Sequence, residues 1–205
     1  MKQFLSLTTL LLLFGLIHFN IYAQDNTSSK KDKPSNIGLF LGLNRGNSAT
    51  EPQVYSTEGN TGYEFGLFLR TGKWFYVQSG ITYMKLSQQL TTGASFPDKV
   101  KDNLSISRLE LPFYIGLNVL PIGHKIFNIR GFAGPAFSYA LSVKDNDLGI
   151  STDEINRFQA DLGAGVGLDI LFMKLDLGFN YGLANLISGE KSHISYGFLT
   201  FGLGI

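Results

Sequence analysis

The 205-residue chain has no cysteine. That excludes a disulfide framework, a thiolate metal site, a cysteine nucleophile and an acyl anchor on an N-terminal cysteine. Charge is also scarce. Charged residues make up 16% of the chain, against roughly 25% in ordinary soluble domains, too few to cover a conventional wet surface. Neither sign dominates. Formal charge is +1, and without Lys2 the basic and acidic side chains balance, which argues against nucleic acid as a partner. Long apolar runs are missing outside the N-terminus, so no spanning helix is expected there. Metal-ligand spacings, phosphate loops and nucleophile elbows are absent as well. Hence no cofactor, metal or catalytic residue is assigned.

What is abundant is glycine, with 24 residues, and aromatics, at 13%. They fall into a strict pattern between positions 157 and 183. Phe158, Ala160, Leu162, Ala164, Val166, Leu168 and Ile170 share one parity; Arg157, Gln159, Asp161, Gly163, Gly165, Gly167 and Asp169 share the other. Leu175, Leu177, Phe179, Tyr181 and Leu183 then alternate with Lys174, Asp176, Gly178, Asn180 and Gly182. A period of two over so many positions predicts two long strands joined by a tight turn near Phe172.

The same alternation predicts eight strands, at 36–45, 62–71, 74–86, 106–120, 125–143, 156–171, 173–183 and 194–205. Most reach the roughly ten residues a tilted strand needs to cross a hydrocarbon layer. The connections alternate between long polar stretches (46–61, 87–105, 144–155, 185–193) and tight turns (72–73, 121–124 and Phe172). That asymmetry predicts an all-β, eight-stranded antiparallel up-and-down transmembrane β-barrel, with short periplasmic turns and long extracellular loops. Residues 1–23 read as a signal peptide, with Lys2, an apolar core and Ala23 before the cut. Residues 24–35 read as a flexible periplasmic linker carrying Lys30, Lys31 and Lys33, and 36–205 as the barrel.

Alternation alone also fits a soluble lipocalin-like barrel with its apolar face inside. Three features favour the inverted arrangement. The polar parity is crowded with glycines (Gly38, Gly42, Gly66, Gly80, Gly116, Gly134, Gly163, Gly165, Gly167, Gly178), as a narrow lumen requires. Its charges are mixed in sign: Glu64, Arg70, Arg108, Glu110, Arg130, Arg157, Asp161, Asp169, Lys174 and Asp176. These are assigned as structural lumen charges, balanced because an unpaired buried charge is costly. Finally, Tyr63, Tyr83, Tyr139, Phe158 and Tyr181 fall at the loop end of the apolar parity, and Trp74, Phe75, Phe127 and Phe172 at the turn end. Two girdles flanking an aliphatic band suit a membrane's two interfaces. Two features strain the pattern. Pro112 and Pro135 lie within strands, where bulges are expected. Tyr196 and Phe198 fall on the wrong parity of the last strand, calling for a bulge or inward rings.

Arg-Leu-Glu-Leu-Pro-Phe-Tyr-Ile-Gly-Leu at 108–117, Gly-Phe-Ala-Gly-Pro-Ala-Phe at 131–137 and the hairpin 158–186 resemble the PorT-like outer-membrane β-barrel domain family common in Bacteroidota. The resemblance covers roughly 37–205. It implies residence in the Gram-negative outer membrane, contact with outer-membrane lipid and lipopolysaccharide, and insertion by the barrel-assembly machinery, with a terminal strand ending at Ile205. It also admits membership of an envelope or secretion complex.

Two constellations carry candidate chemistry. Asp169 and Asp176 are expected to face each other across their hairpin, where they could share a proton or hold a cation, or be neutralised by Lys174, Arg70 or Arg130. His193, with Ser188, Glu190, Ser192 and Ser195 nearby, could form a rim triad of a lipid-modifying enzyme, or simply a solvated loop; His124 reads as an exposed turn residue. The favoured expectation is a small integral barrel without catalytic activity, structural or interactive in role, with a filled lumen and with specificity in 46–61 and 87–105. A narrow pore or small-ligand-binding barrel is the alternative.

Overall fold

The computed structural model describes residues 35–51, 55–92, 101–122, 126–144, 155–183 and 191–205; the expected signal peptide, the expected linker except Ser35, and His124 lie outside them. Eight strands form one closed antiparallel barrel in sequence order: β1 (Ser35–Glu51), β2 (Tyr55–Gly72), β3 (Phe75–Thr92), β4 (Lys101–Ile122), β5 (Phe127–Val143), β6 (Phe158–Ile170), β7 (Met173–Gly182) and β8 (Lys191–Gly204). The seam is antiparallel β1 on β8, with Leu39 opposite Leu203 and Leu43 opposite Leu199. Closure leaves no edge strand in the wall.

The faces are inside out. Leu41 is 64% exposed and Leu177 59%, whereas Arg130 is 0% and Arg108 2% exposed. Burial alternates along each strand with the period of the pleat. A wall of exposed leucine, isoleucine and phenylalanine is untenable in water at this size but is the surface hydrocarbon requires. The barrel therefore spans a membrane. Phe65, Tyr83, Leu109, Tyr139 and Phe158 are consecutive register partners across β2 to β6, giving the loop-end girdle. Trp74, Phe75 and Phe172 are exposed at the turn end.

The strands overrun their expected bounds on the loop side. β1 continues to Glu51 and β2 starts at Tyr55; β3 continues to Thr92 and β4 starts at Lys101. The stretches 46–61 and 87–105, predicted as loops, are therefore largely strand. In those stretches the sequence loses its apolar–polar alternation although the strand pairing continues. Rim height is consequently uneven, since β4 has 22 residues and β7 only 10. At the turn end the β2–β3 link holds Gly72 at φ 136°, where a side chain would strike Phe75. The β6–β7 turn comprises Leu171 and Phe172, with Leu171 at φ 56°.

The prolines do not cause bulges. Register shifts occur instead between Ser107 and Arg108 and between Asn118 and Leu120 on β4, and between Asn60 and Tyr63 on β2. Near the prolines the ladder only skips: Ser79–Phe113 is followed by Thr82–Glu110, and Pro112–Ala136 by Ile115–Ala133, without a change of register. A missing N–H removes a bond from one side of the strand but adds no residue. β8 likewise needs no bulge. Tyr196 is buried, Leu199, Phe201 and Leu203 are exposed, and the register runs unbroken from Gly204 to Lys191.

Leu177→Arg is expected to destabilise the barrel by about 2–4 kcal/mol in urea titrations in lipid vesicles. Gly165→Leu, on the opposite face, should destabilise by about 1–3 kcal/mol through overpacking. A neutral Leu177→Arg would mean that this face does not meet hydrocarbon.

Candidate functional site

The lumen is the only place where this chain concentrates polar chemistry among its described residues, and it is built in layers. At the turn end Arg130 is the hub. Its Nε meets Asp169 Oδ1 at 3.0 Å, and its Nη2 is paired with Asp176. Arg70 Nη1 also binds Asp169, at 2.7 Å, and Lys174 Nζ binds Asp176 Oδ2 at 2.8 Å. Gln78 Oε1 accepts from Arg70 Nε at 3.1 Å and from Lys174 Nζ at 3.4 Å. The Lys174 ammonium lies 4.0 Å from the Phe68 ring centroid, an attraction worth more where water is excluded.

The expected Asp169–Asp176 pair is not opposed. Asp169 lies opposite Lys174, and Asp176 opposite Gly167, because the turn is formed by Leu171 and Phe172 and Ile170 pairs with Met173. Two carboxylates one step apart on neighbouring strands leave a gap that the Arg130 guanidinium fills, so neither a shared proton nor a cation is needed there. Gly167 makes this possible. It lies between Arg130 on β5 and Asp176 on β7, and a Cβ there would strike both.

At mid-height the lumen is aromatic. Tyr76, Tyr114 and Phe132 are buried together and Phe198 packs on them; the Tyr114 and Phe132 centroids are 5.1 Å apart. The inward glycines serve these rings. A Cβ at Gly38 would strike Phe68, at Gly116 Tyr76, at Gly165 Phe132 and at Gly178 Phe198, whereas outward Gly131 has open space around its missing side chain. Inner glycine and inner ring are thus one feature. Five inward rings (Phe40, Phe68, Tyr76, Tyr114, Phe132) were not foreseen, because an aromatic on a polar parity reads in sequence as an exception and the adjoining glycines read as a general relief of crowding; those of Tyr196 and Phe198 follow the second of the two expected alternatives.

Above the rings, Arg108 Nη2 sits 3.8 Å from Glu110 Oε2 and 3.7 Å from Asp161 Oδ2, while its Nη1 donates to Gln159 at 3.0 Å. The guanidinium lies 4.6 Å from the Tyr196 ring centroid. Tyr196 donates its hydroxyl to Glu110 and accepts from Asn180. Glu64 accepts from Asn44 at 3.2 Å. Nine of the ten sequence-assigned charges thus fall into these two clusters. The tenth, Arg157, is half-buried before β6, its carbonyl accepting from Ala140 N–H at 2.7 Å. The loop end is closed by a buried apolar cluster of Met84, Leu86, Ile106, Ala140, Ile155 and Ile194 against Tyr196. Between the clusters a cavity of about 40 Å³ remains, room for only a few waters.

His193 and Ser192 lie in β8, opposite Ala49 and Thr50, rather than in a loop; their side chains, and the whole of Ser188 and Glu190, fall outside what is described. Ser195 is half-buried in the same strand.

The model of the "Outer membrane protein beta-barrel domain" matches residues 22–188. No curated protein matches the sequence. Among solved structures, the outer membrane protein OprG from Pseudomonas aeruginosa superposes with a TM-score of 0.51 at 10% identity, covering 84% of this chain and 97% of that one. Ail, the attachment invasion locus protein of Yersinia pestis, gives 0.46 at 12% identity, with 83% and 99% covered. Neisserial surface protein A gives 0.45 at 13% identity, with 82% and 96% covered. At such identities the likeness is one of fold.

Arg108→Met should destabilise by about 3–5 kcal/mol, because it strands two buried carboxylates. The triple variant Arg108→Met, Glu110→Gln, Asp161→Asn should recover more than half of that loss. Urea midpoints of the single and triple variants, refolded in the same detergent, measure both.

Proposed function

Since the chain belongs to the outer membrane protein β-barrel domain family, we propose that this outer-membrane barrel acts without catalysis, as a structural or interacting component of the envelope. The observation that carries the reading is the filled lumen. Rings from β3, β4, β5 and β8 cross it at mid-height, apolar side chains close its loop end, and its charged groups gather around Arg130 and Arg108. Such an interior has no lane for a hydrated solute. The exposed working surface is then the loop-side rim, where β1 to β4 rise furthest and where recognition of a partner is placed.

In this reading residues 1–23 direct export and are removed, and 24–35 form a periplasmic tether. The turns face the periplasm and the rim faces outward. The wall is surrounded by phospholipid and lipopolysaccharide, and the outward row Leu199, Phe201 and Leu203 of β8 is presented to the barrel-assembly machinery. The motifs at 108–117 and 131–137 support a finer placement among PorT-like barrels of Bacteroidota, with an envelope or secretion complex as the partner class.

In planar bilayers the purified protein should give no steady unit conductance, and carbonate extraction should leave it in the membrane pellet. Stable open channels in the bilayer would replace this reading with that of a pore.

A further inference from the structure

The turn-end mouth of the barrel is unlike its loop end. It opens into a cavity of about 660 Å³ that reaches inward to Phe68, Arg70 and Lys174 and outward to Trp74, Phe127 and Phe172. Pockets of this size with a few placed polar groups are typical small-molecule sites. The charge around it is uneven. Arg70, Lys73, Arg130 and Lys174 face only two carboxylates, Asp169 and Asp176, in this half of the described barrel. Arg130 and Lys174 are fully engaged by these carboxylates, and Lys73 is exposed in the β2–β3 turn.

Arg70 is incompletely satisfied. Its Nε is bound by Gln78 and its Nη1 by Asp169, but its Nη2, shielded from solvent, has no acceptor among the described residues. A buried guanidinium nitrogen without a partner is uncommon, and its natural complement is an oxyanion. Asn128 shows the same condition with opposite sense. Its Nδ2 donates to Asn118 at 2.8 Å and Asp169 at 3.3 Å, while its Oδ1 is left without a donor. Apart from Ser35 and Asn36 at the start of β1, the rest of the mouth is apolar and aromatic, in line with the membrane interface.

We propose that this mouth binds an amphiphilic organic anion, its carboxylate or phosphate head at Arg70 and Lys73 and its apolar body along Trp74, Phe127 and Phe172. The head chemistry follows from the excess of cations on the lining of the mouth, where Arg70, Lys73 and Lys174 stand with the side-chain carboxylate of Asp169. The body follows from the rings, which a bare inorganic ion would leave wet. Such an anion has two sources: a free amphiphile from the aqueous side, or an anionic lipid of the adjoining leaflet.

Trp74 lies on the rim of the mouth and is the chain's only tryptophan, so its emission reports this site alone. The full chain, refolded in phosphatidylcholine vesicles, is titrated with decanoate, with decanol as the neutral control. In a second arm it is refolded in vesicles of rising phosphatidylglycerol content. A saturable shift with decanoate but not decanol assigns a free amphiphile; a saturable shift confined to phosphatidylglycerol assigns a lipid. Either should weaken at least tenfold in Arg70→Gln/Asp169→Asn, which removes the head contact without stranding a carboxylate. Lys73→Gln, in an exposed turn that leaves the barrel intact, should weaken binding about threefold and decides the matter should the double variant fail to fold. Equal response to decanol, no saturable shift in either arm, or wild-type affinity in the folded variants would overturn the proposal.

Discussion

Hydrocarbon offers no hydrogen bonds, and the rest of the structure follows from that. Every N–H and C=O at membrane depth must find its partner within the chain, so the sheet has to return to its first strand. The pairing of β1 with β8 is the point at which this is achieved, from Gly38–Gly204 to Glu51–Lys191. Once the sheet closes with eight strands, the interior is narrow and its volume is fixed. What goes inside is decided by space as much as by polarity.

That limit explains the composition of the lumen. Seven aromatic rings and nine charged side chains share the cylinder because glycines vacate the positions against which they lie. Gly167 lets Arg130 reach across β6 to Asp176, and Gly165 accommodates the Phe132 ring. The charged groups have little access to water and so are ordered around guanidinium hubs, Arg130 below and Arg108 above, with the rings between. A buried ion pair of this kind adds little net stability by itself, but losing one member is severe. The network therefore specifies the packing more than it drives folding.

The sequence was most readable where one face of a strand meets lipid and the other the lumen. There the period of two is enforced at every residue, and strand number, order, face assignment and both aromatic girdles could be read from residues such as Leu175 to Leu183. Legibility failed where that asymmetry ends. At 46–51 and 55–61 the residues carry no apolar alternation, so the continuing strands looked like loops. It also failed where geometry depends on which residues form a turn. The two-residue turn Leu171–Phe172 moves Asp176 opposite Gly167, and the supposed carboxylate pair becomes a three-way junction with Arg130. The inward rings of β1 to β5 escaped notice because their partners are absences of side chain, which sequence records only as glycine.

The two prolines bear on how the wall moves. Both ladders flanking β4 skip at nearly the same height, beside Pro112 on the β3 side and beside Phe113 and Tyr114 on the β5 side. A stave held less tightly on both flanks in mid-membrane is where transient separation of the wall begins, since fewer bonds have to part there. Tyr114, whose hydroxyl donates to Asn180 across the lumen at 3.3 Å, ties that same stretch to β7 from within. Amide exchange in this barrel would accordingly be governed by an internal strut rather than by the ladder alone.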